Sequence, residues 1–541
     1  MSNTRELREV GIIVGEASSS EFFFASRAEE CPSKWEYLVA FSKEEVDGRW
    51  VEVPVIAQVE KIVSASQALS KDVDLDALRR IIAAELEDVR TWGKARVLGY
   101  LAEPGDRILQ PRRAIAPGKP VYVAPGDILS KFYSFPEEEG LLIGNLITRA
   151  DVPVYLSIRG FRRHLAIIAQ TGAGKSYCAG VLIEELLRKG ATVVVLDPHA
   201  DYVLMSLAQG GGRHELSDRI TVFRSPASPG RFRAKDLGRV EAYEVAFTDL
   251  DTFEICDVAG IPEKAVNIRE AVRRALEVLK GSGSIYSPED LLRALEDPTW
   301  ATDEEGKPDR RMRGYAEGAV KYIRSLAKLR VFGSSSTPIE RLLKEAHASI
   351  VDLSGLEDKA MNYIASRILQ GIYDAVAMGA YEYPVFAIIE EAHRFVPPDR
   401  ETYASPVINK IAAEGRKFGI FLTLITQRPS KVDPDSLSQC NSQIVMRLTN
   451  PEDQKAVEES SERMSKDLMA DLPGLNPGEC IIVGEVTKAP VMAKIRRRET
   501  MEGGADVDIV AQLRLARRAA EEAERERIHG ARREPFRGEF R

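Results

Sequence analysis

From His164 to Gly190 the chain reads HLAIIAQTGAGKSYCAGVLIEELLRKG, and ATVVVLDPH follows at 191–199. An apolar run, a Gly-rich turn, a helical period ending at a glycine and a second apolar run make a βαβ unit, the start of a parallel sheet. Residues 169–176 (AQTGAGKS) fit the phosphate-binding loop pattern except at the first position, where Ala169 stands in place of the usual glycine. Gly172 and Gly174 let the backbone wrap around Ala173 so that successive N–H groups point inward. The helix that begins at Lys175 adds its positive end. Lys175 is expected to reach the β- and γ-phosphates of ATP, Ser176 to ligate Mg²⁺, and Tyr177 to follow on the same nucleotide-facing turn.

Such a loop needs an acidic partner at the end of a neighbouring strand. Phe386-Ala387-Ile388-Ile389-Glu390-Glu391-Ala392-His393 supplies a pair of carboxylates at a strand's carboxyl edge, where open α/β sheets bind ligands. Consecutive strand residues face opposite ways. The expectation is therefore that Glu390 holds Mg²⁺ through water while Glu391 activates the attacking water. Gln427 ends the strand IFLTLITQ and reads either as a γ-phosphate sensor or as a capping residue. Asp197 ends VVVLD and either contacts the nucleotide or orders the loop behind it. Arg416, in AAEGRKFGI, reads on residue type alone as a solvated arginine at a helix end.

Outward from this centre the chain divides. Residues 1–135 carry short β-rich runs (VGIIVGEA, EFFFAS, EYLVAF, VPVIAQVEKIVS, ARVLGYLAE) broken by Gly, Pro and Ser, with one helical stretch near Asp74–Val89, and predict a small β-barrel. Residues 136–205 hold the first part of the ATPase core. The strand signal is lost over 206–345, where EKAVNIREAVRRALEVLKG, SPEDLLRALED and RGYAEGAVKYIRSLAKLRVF predict a mainly helical insertion. The strand–helix rhythm resumes over 346–499, ending at ECIIVGE. A charged tail, 500–541, is helix-prone to about Ile528. Its basic end reads as a frayed terminus or as an arm that braces a neighbour.

Net charge is −8, so no global positive field draws in nucleic acid, and any DNA contact needs a local basic surface. Five scattered cysteines without a C-x-x-C pair predict free thiols and no zinc site. With neither a signal-like amino terminus nor an apolar run of membrane-spanning length, the expectation is a cytoplasmic protein. Sparse Asn and Gln beside abundant Arg and Glu fit either a thermophile or a GC-rich genome.

LLIGNLITRADVPVYLSIRGFRRHLAI, QTGAGKS, VVVLDPHADY, SIVDLSGL, IIEEAHRFVP, AAEGRKFGIFLTLITQRPSKVDPDSLSQCNSQIVMRL and LPGLNPGECIIVG occur in that order over most of 141–484. Together they resemble the HerA family of DNA-translocating ATPases, within the group that includes FtsK. The resemblance implies an α/β, RecA-like core with an N-terminal HAS-type barrel, and a homo-hexameric ring with double-stranded DNA in its channel and ATP sites between subunits. It makes Arg416 a finger acting on the neighbouring subunit's site and Arg163 a contact to nucleotide in an adjoining subunit. Lys494 and Ile495, after the last core strand, would lie near the adenine. It also implies a NurA-type nuclease partner in DNA end resection, some bacterial members serving antiphage complexes instead. The rival readings are an ATP-gated scaffold that switches a bound nuclease or defence effector with little translocation, a motor feeding a membrane channel, and a small-molecule kinase.

Overall fold

The computed structural model describes residues 7–46, 48–85, 88–102, 107–281, 285–303, 305–504 and 509–531. The basic end of the tail, beyond 531, lies outside them. The N-terminal strands are β1 (Glu9–Ala17), β2 (Glu21–Ser26), β3 (Tyr37–Val46), β4 (Arg49–Ala65), β5 (Arg90–Leu101), β6 (Ile108–Leu109) and β7 (Pro120–Val123). They pair antiparallel in the order β2-β1-β7-β3-β4-β5, and β2 pairs again with β5, which closes the barrel; β6 adds to β5 outside the ring. Period-two alternation fills the interior: Leu38 and Ala40 of β3 and Val53, Val55, Ala57 and Val59 of β4 point inward. The expected barrel is there, and so is the expected helix, at Leu75–Ala83, capped by Asp74 accepting the N–H groups of Asp76 and Ala77.

The second sheet is built from β8 (Gly140–Leu146), β9 (Pro153–Ser157), β10 (Leu165–Ile168), β11 (Thr192–Asp197), β12 (Ile220–Arg224) and β13 (Arg239–Ala242). A separate short pair, β14 (Val245–Ala246) with β15 (Phe332–Gly333), flanks the helical region. Then come β16 (Ala348–Asp352), β17 (Val385–Ile389), β18 (Ile420–Thr426), β19 (Ser442–Met446), β20 (Glu479–Val483) and β21 (Val491–Ile495). The order across the 12-stranded sheet is β13-β12-β16-β11-β17-β18-β10-β19-β20-β21-β8-β9. Every neighbouring pair from β13 to β19 is parallel, and the remainder are antiparallel. This is the RecA-like α/β core, assembled from two separated sequence blocks.

Two expectations change. The stretch read as having lost its strands contains β12 and β13, which extend the parallel edge of the sheet; runs as short as ITVFR and RVEA show no period that a sequence can reveal. Lys494 and Ile495 do not follow the last core strand but lie within one more, β21, paired to β8. The rest of the inserted stretch is helical, with helices at Thr252–Ala259, Val266–Gly281, Pro288–Glu296 and Arg310–Ala327. The first and third open on capping boxes, Asp251 with Glu254 and Ser287 with Asp290. Their apolar faces recur at helical spacing, as in Ala316, Ala319, Ile323 and Leu326, and pack into the core continuous with the sheet.

The barrel docks on the core through the outer face of the same strands that fill it. Tyr37, Val39, Ile56 and Leu98 pack with Leu129, Phe132 and Leu141. Asp471 completes the joint. Its carboxylate accepts from Lys34 Nζ at 2.5 Å and from Trp35 Nε1 at 3.0 Å, and Trp35 is held in a left-handed backbone conformation, φ 71°. Asp471→Ala leaves the partly buried indole N–H without its acceptor. Denaturant unfolding should show a loss of about 1–3 kcal/mol, and protease should cut the barrel from the core faster than in the wild type.

Candidate active site

Parallel strands end together, so their carboxyl-terminal loops meet at one edge. β10 delivers residues 169–176, and the helix Lys175–Arg188 leads away from them. Gly172 and Gly174 take φ 78° and 104°, values open to glycine and costly for other residues. Ala169 is fully buried at the end of β10, its N–H donating to Thr426 O at 3.3 Å, and it has no positive φ, so a methyl group is accommodated where glycine is usual.

Lys175 opens the helix with its side chain buried. Its Nζ donates to Glu390 Oε1 in a very short contact and to Glu391 Oε1 at 3.2 Å. Burial by itself would lower the ammonium's pKa, but the two carboxylates outweigh it and hold the group charged, above its ordinary range. The pair does not split to opposite faces as strand alternation predicts. β17 ends at Ile389, and Glu391 turns into a left-handed conformation, φ 52°, ψ 49°, that brings both carboxylates onto the same lysine.

Ser176 Oγ donates to Asp201 Oδ2 at 2.6 Å. Asp197 is fully buried, and its carboxylate accepts the N–H groups of His199, Asp201 and Tyr202. Of its two readings, loop ordering is the one this geometry supports, and burial pushes its pKa well up. Gln427 Oε1 accepts from Thr171 Oγ1 at 2.5 Å, across the mouth of the loop. Ser176, Glu390 and Asp201 supply hard oxygen donors of the kind Mg²⁺ takes. Lys175, Ser176 and Asp201 line a cleft of about 830 Å³ whose walls also include Gly172, Tyr177, Glu391, Gln427 and Gly478, while Glu390 and Asp197 are fully buried and do not reach its wall. A polyphosphate fits this cradle on chemical grounds: a glycine-rich turn running into the amino end of a helix, a lysine, a hydroxyl and carboxylates for the metal.

Several residues of the site have no role that residue type or spacing assigns. Gly478 N–H donates to Ala173 O at 2.9 Å, and Gly478 O accepts from Ile495 N at 2.8 Å, which sets β21 beside the loop; Lys494 itself is exposed. Residues 496–504 wrap the back of the P-loop helix. Glu184 Oε1 accepts the N–H groups of Glu499 and Thr500, Arg496 pairs with Glu184 and Glu185, and Tyr177 Oη accepts from Arg498 N at 2.6 Å. Arg498 is fully buried against Gly180, where a Cβ would sit 2.5 Å from the guanidinium carbon. Glu502 and Gly504, in the stretch read as the start of the tail, line the cleft. Tyr202, stacked near Arg498, donates to Glu390 Oε2 in another very short contact.

Arg163 and Arg416 lie elsewhere. Each precedes its strand, β10 and β18 respectively, so both stand at the amino edge of the sheet, exposed. β18 alone separates Arg416 from Gln427 by roughly 20 Å at about 3.3 Å per residue. His164 ties the two arginines' segments together: its Nδ1 accepts from Leu422 N at 3.0 Å and its Nε2 meets Ala412 O at 3.1 Å. Arg162 and Lys417 are exposed beside them, and among the described residues none of these four cations forms a salt bridge.

The geometry is that of a P-loop nucleoside triphosphatase. The family model "Helicase HerA, central domain" matches residues 141–372. The DNA double-strand break repair helicase HerA of Pyrococcus furiosus is 30% identical over 92% of this chain and 93% of its own. The chain belongs to the HerA family. The protein of that name from Saccharolobus solfataricus is 26% identical over 93% of this chain and 95% of its own. Among solved structures, the bacterial conjugative coupling protein TrwB is similar over 71% of this chain and 94% of its own, at 14% identity and TM-score 0.47. No helix of the described residues is long and apolar enough to cross a membrane. All five cysteines are free, as expected.

Burial holds the His164 imidazole down to about 4, against about 6.5 when unfolded. The unfolded chain therefore binds the extra proton first as pH falls, and native stability should decline between about 6.5 and 4 on this group's account. His164→Gln cannot titrate. The difference in unfolding free energy between wild type and variant, measured from pH 7.5 to 4, should shift steadily against the wild type through that window.

Proposed function

We propose that this chain is the subunit of a homo-hexameric ring ATPase that moves along double-stranded DNA and acts in double-strand break repair, with Mg²⁺ and ATP at its subunit interfaces and a NurA-type nuclease as partner. The observation that carries the ring is the placement of Arg416 and Arg163 at the opposite edge of the sheet from their own P-loop. Neither can reach its own cleft, whereas a head-to-tail neighbour would meet it there. The relatives named for break repair support DNA as the substrate.

When bound, Mg²⁺ neutralises charge on the transferred phosphate and orients it. The chain's residues do the rest. The loop N–H groups and Lys175 hold phosphate oxygens, and Ser176, Glu390 and Asp201 would hold the metal. Glu391 takes a proton from the attacking water. Gln427, tied to Thr171, registers the γ-position. Arg416 of an adjoining subunit stabilises developing charge, with Arg163 gripping the same nucleotide. Ile495, held through Gly478, and Lys494 place β21 near the base.

A second reading, the ATP-gated scaffold, is favoured by one observation. The segment that starts at Arg96-bonded Ser465 and carries Asp471, the barrel's anchor, runs on to Gly478 at the P-loop. Occupancy of the site can thus reach the barrel and whatever it binds. ATP hydrolysis with and without linear double-stranded DNA, at two salt concentrations, separates the readings. Strong stimulation that fades with salt is expected of the motor; turnover indifferent to DNA belongs to the scaffold. Arg416→Ala should be inactive alone yet recover turnover when mixed with Lys175→Ala subunits. Mixed rings without recovery would rule out a finger acting in trans.

A further inference from the structure

The Glu391 carboxylate has one oxygen engaged and one waiting. Oε1 accepts from Lys175; Oε2 is buried and accepts no hydrogen bond from the described residues. His393 Nδ1 lies 3.3 Å from that second oxygen. The same ring nitrogen is 3.2 Å from Thr426 Oγ1, which accepts the N–H of Arg428 at 3.0 Å. The approach of residues two apart follows from the left-handed turn at Glu391, after which Arg394 N–H donates to Glu391 O at 2.8 Å and the chain doubles back.

Lys175 cannot serve two masters. To reach a bound phosphate its Nζ must leave both carboxylates, and Glu391 is then a buried anion without a donor. We propose that His393 is the positioning residue of Glu391: its Nδ1–H turns from Thr426 to Glu391 Oε2 when Lys175 departs, so that Oε1 is aimed at the attacking water. This rests on Glu391 being the base. A neutral ring suits the task, since it holds the carboxylate without handing it a proton. Burial, with Arg428, Arg394 and Lys175 nearby, keeps the ring neutral against the pull of Glu391. The swap also couples the base to the tip of β18, where Thr426 precedes Gln427.

The test uses the full-length chain and His393→Ala, His393→Asn and His393→Leu. An asparagine amide can stand where Nδ1 stands; leucine cannot donate. The alanine and leucine variants should lose about tenfold or more in kcat, the scale of a positioned proton-transfer group. KM, and the equilibrium Kd for a fluorescent ATP analogue, should stay within about twofold, because His393 touches no part of the phosphate cradle. Asparagine should recover most of kcat, and all variants should unfold at the wild-type temperature. Unchanged kcat in the alanine variant, or asparagine no better than leucine, overturns the proposal. So does a parallel loss of ATP-analogue binding. Glu391→Gln is run beside them. If it hydrolyses ATP at the wild-type rate, the base assignment falls. If it is inactive while His393→Ala is active, only the role of His393 falls.

Discussion

Everything at the carboxyl edge of the sheet is organised around one buried ammonium group. Lys175 sits between Glu390 and Glu391 with little access to water. A buried charge is tolerated only when opposite charge and hydrogen bonds surround it, and removing one partner strands the other. The constraint propagates outward: Glu390 is fixed from its far side by Tyr202, Tyr202 is set by the loop that Asp197 organises, and that loop presents Asp201 to Ser176. A phosphate that draws Lys175 away breaks the balance of the whole set. That is a physical basis for nucleotide binding to change more than the nucleotide's own contacts.

The parallel sheet imposes the second constraint. Strands that run the same way gather anion-binding groups and carboxylates at one edge and leave Arg163 and Arg416 at the other. No side chain spans that distance. A phosphoryl-transfer site that uses those arginines must be assembled from two copies, and buried His164 hydrogen-bonds across the segments that carry them.

Two segments late in the chain then join the periphery to the cleft. From Ser465 to Gly478 the chain touches the barrel at one end and the P-loop at the other. Residues 496–504 strap the P-loop helix through Glu184, Glu185 and the buried Arg498, and reach the cleft wall at Glu502 and Gly504. The barrel is therefore joined to the nucleotide site through short, packed contacts and not through the sheet alone.

The sequence by itself determined what local rules and short spacing can encode. The barrel follows from period-two alternation broken by turns, and the loop 169–176 from the fixed geometry that glycines, a lysine and a hydroxyl need around phosphate. The acidic pair followed from an apolar run ending in carboxylates, and the family from several such motifs in order. It could not show β12 and β13, whose runs are too short for a period, nor that Lys494 and Ile495 sit in a paired strand. It put Glu390 and Glu391 on opposite faces because strand alternation was assumed to continue one residue too far. Asp201, Tyr202 and Gly478 fall inside segments that mark the family but assign them no role, and Arg498 lies outside every such segment; they matter because tertiary packing brings residues up to hundreds of positions apart within hydrogen-bonding distance. Which edge of the sheet each arginine occupies, and which oxygen of Glu391 is left for His393, are decided only when the strands are laid side by side, because chain direction and a single left-handed turn, not residue type, set where those groups point.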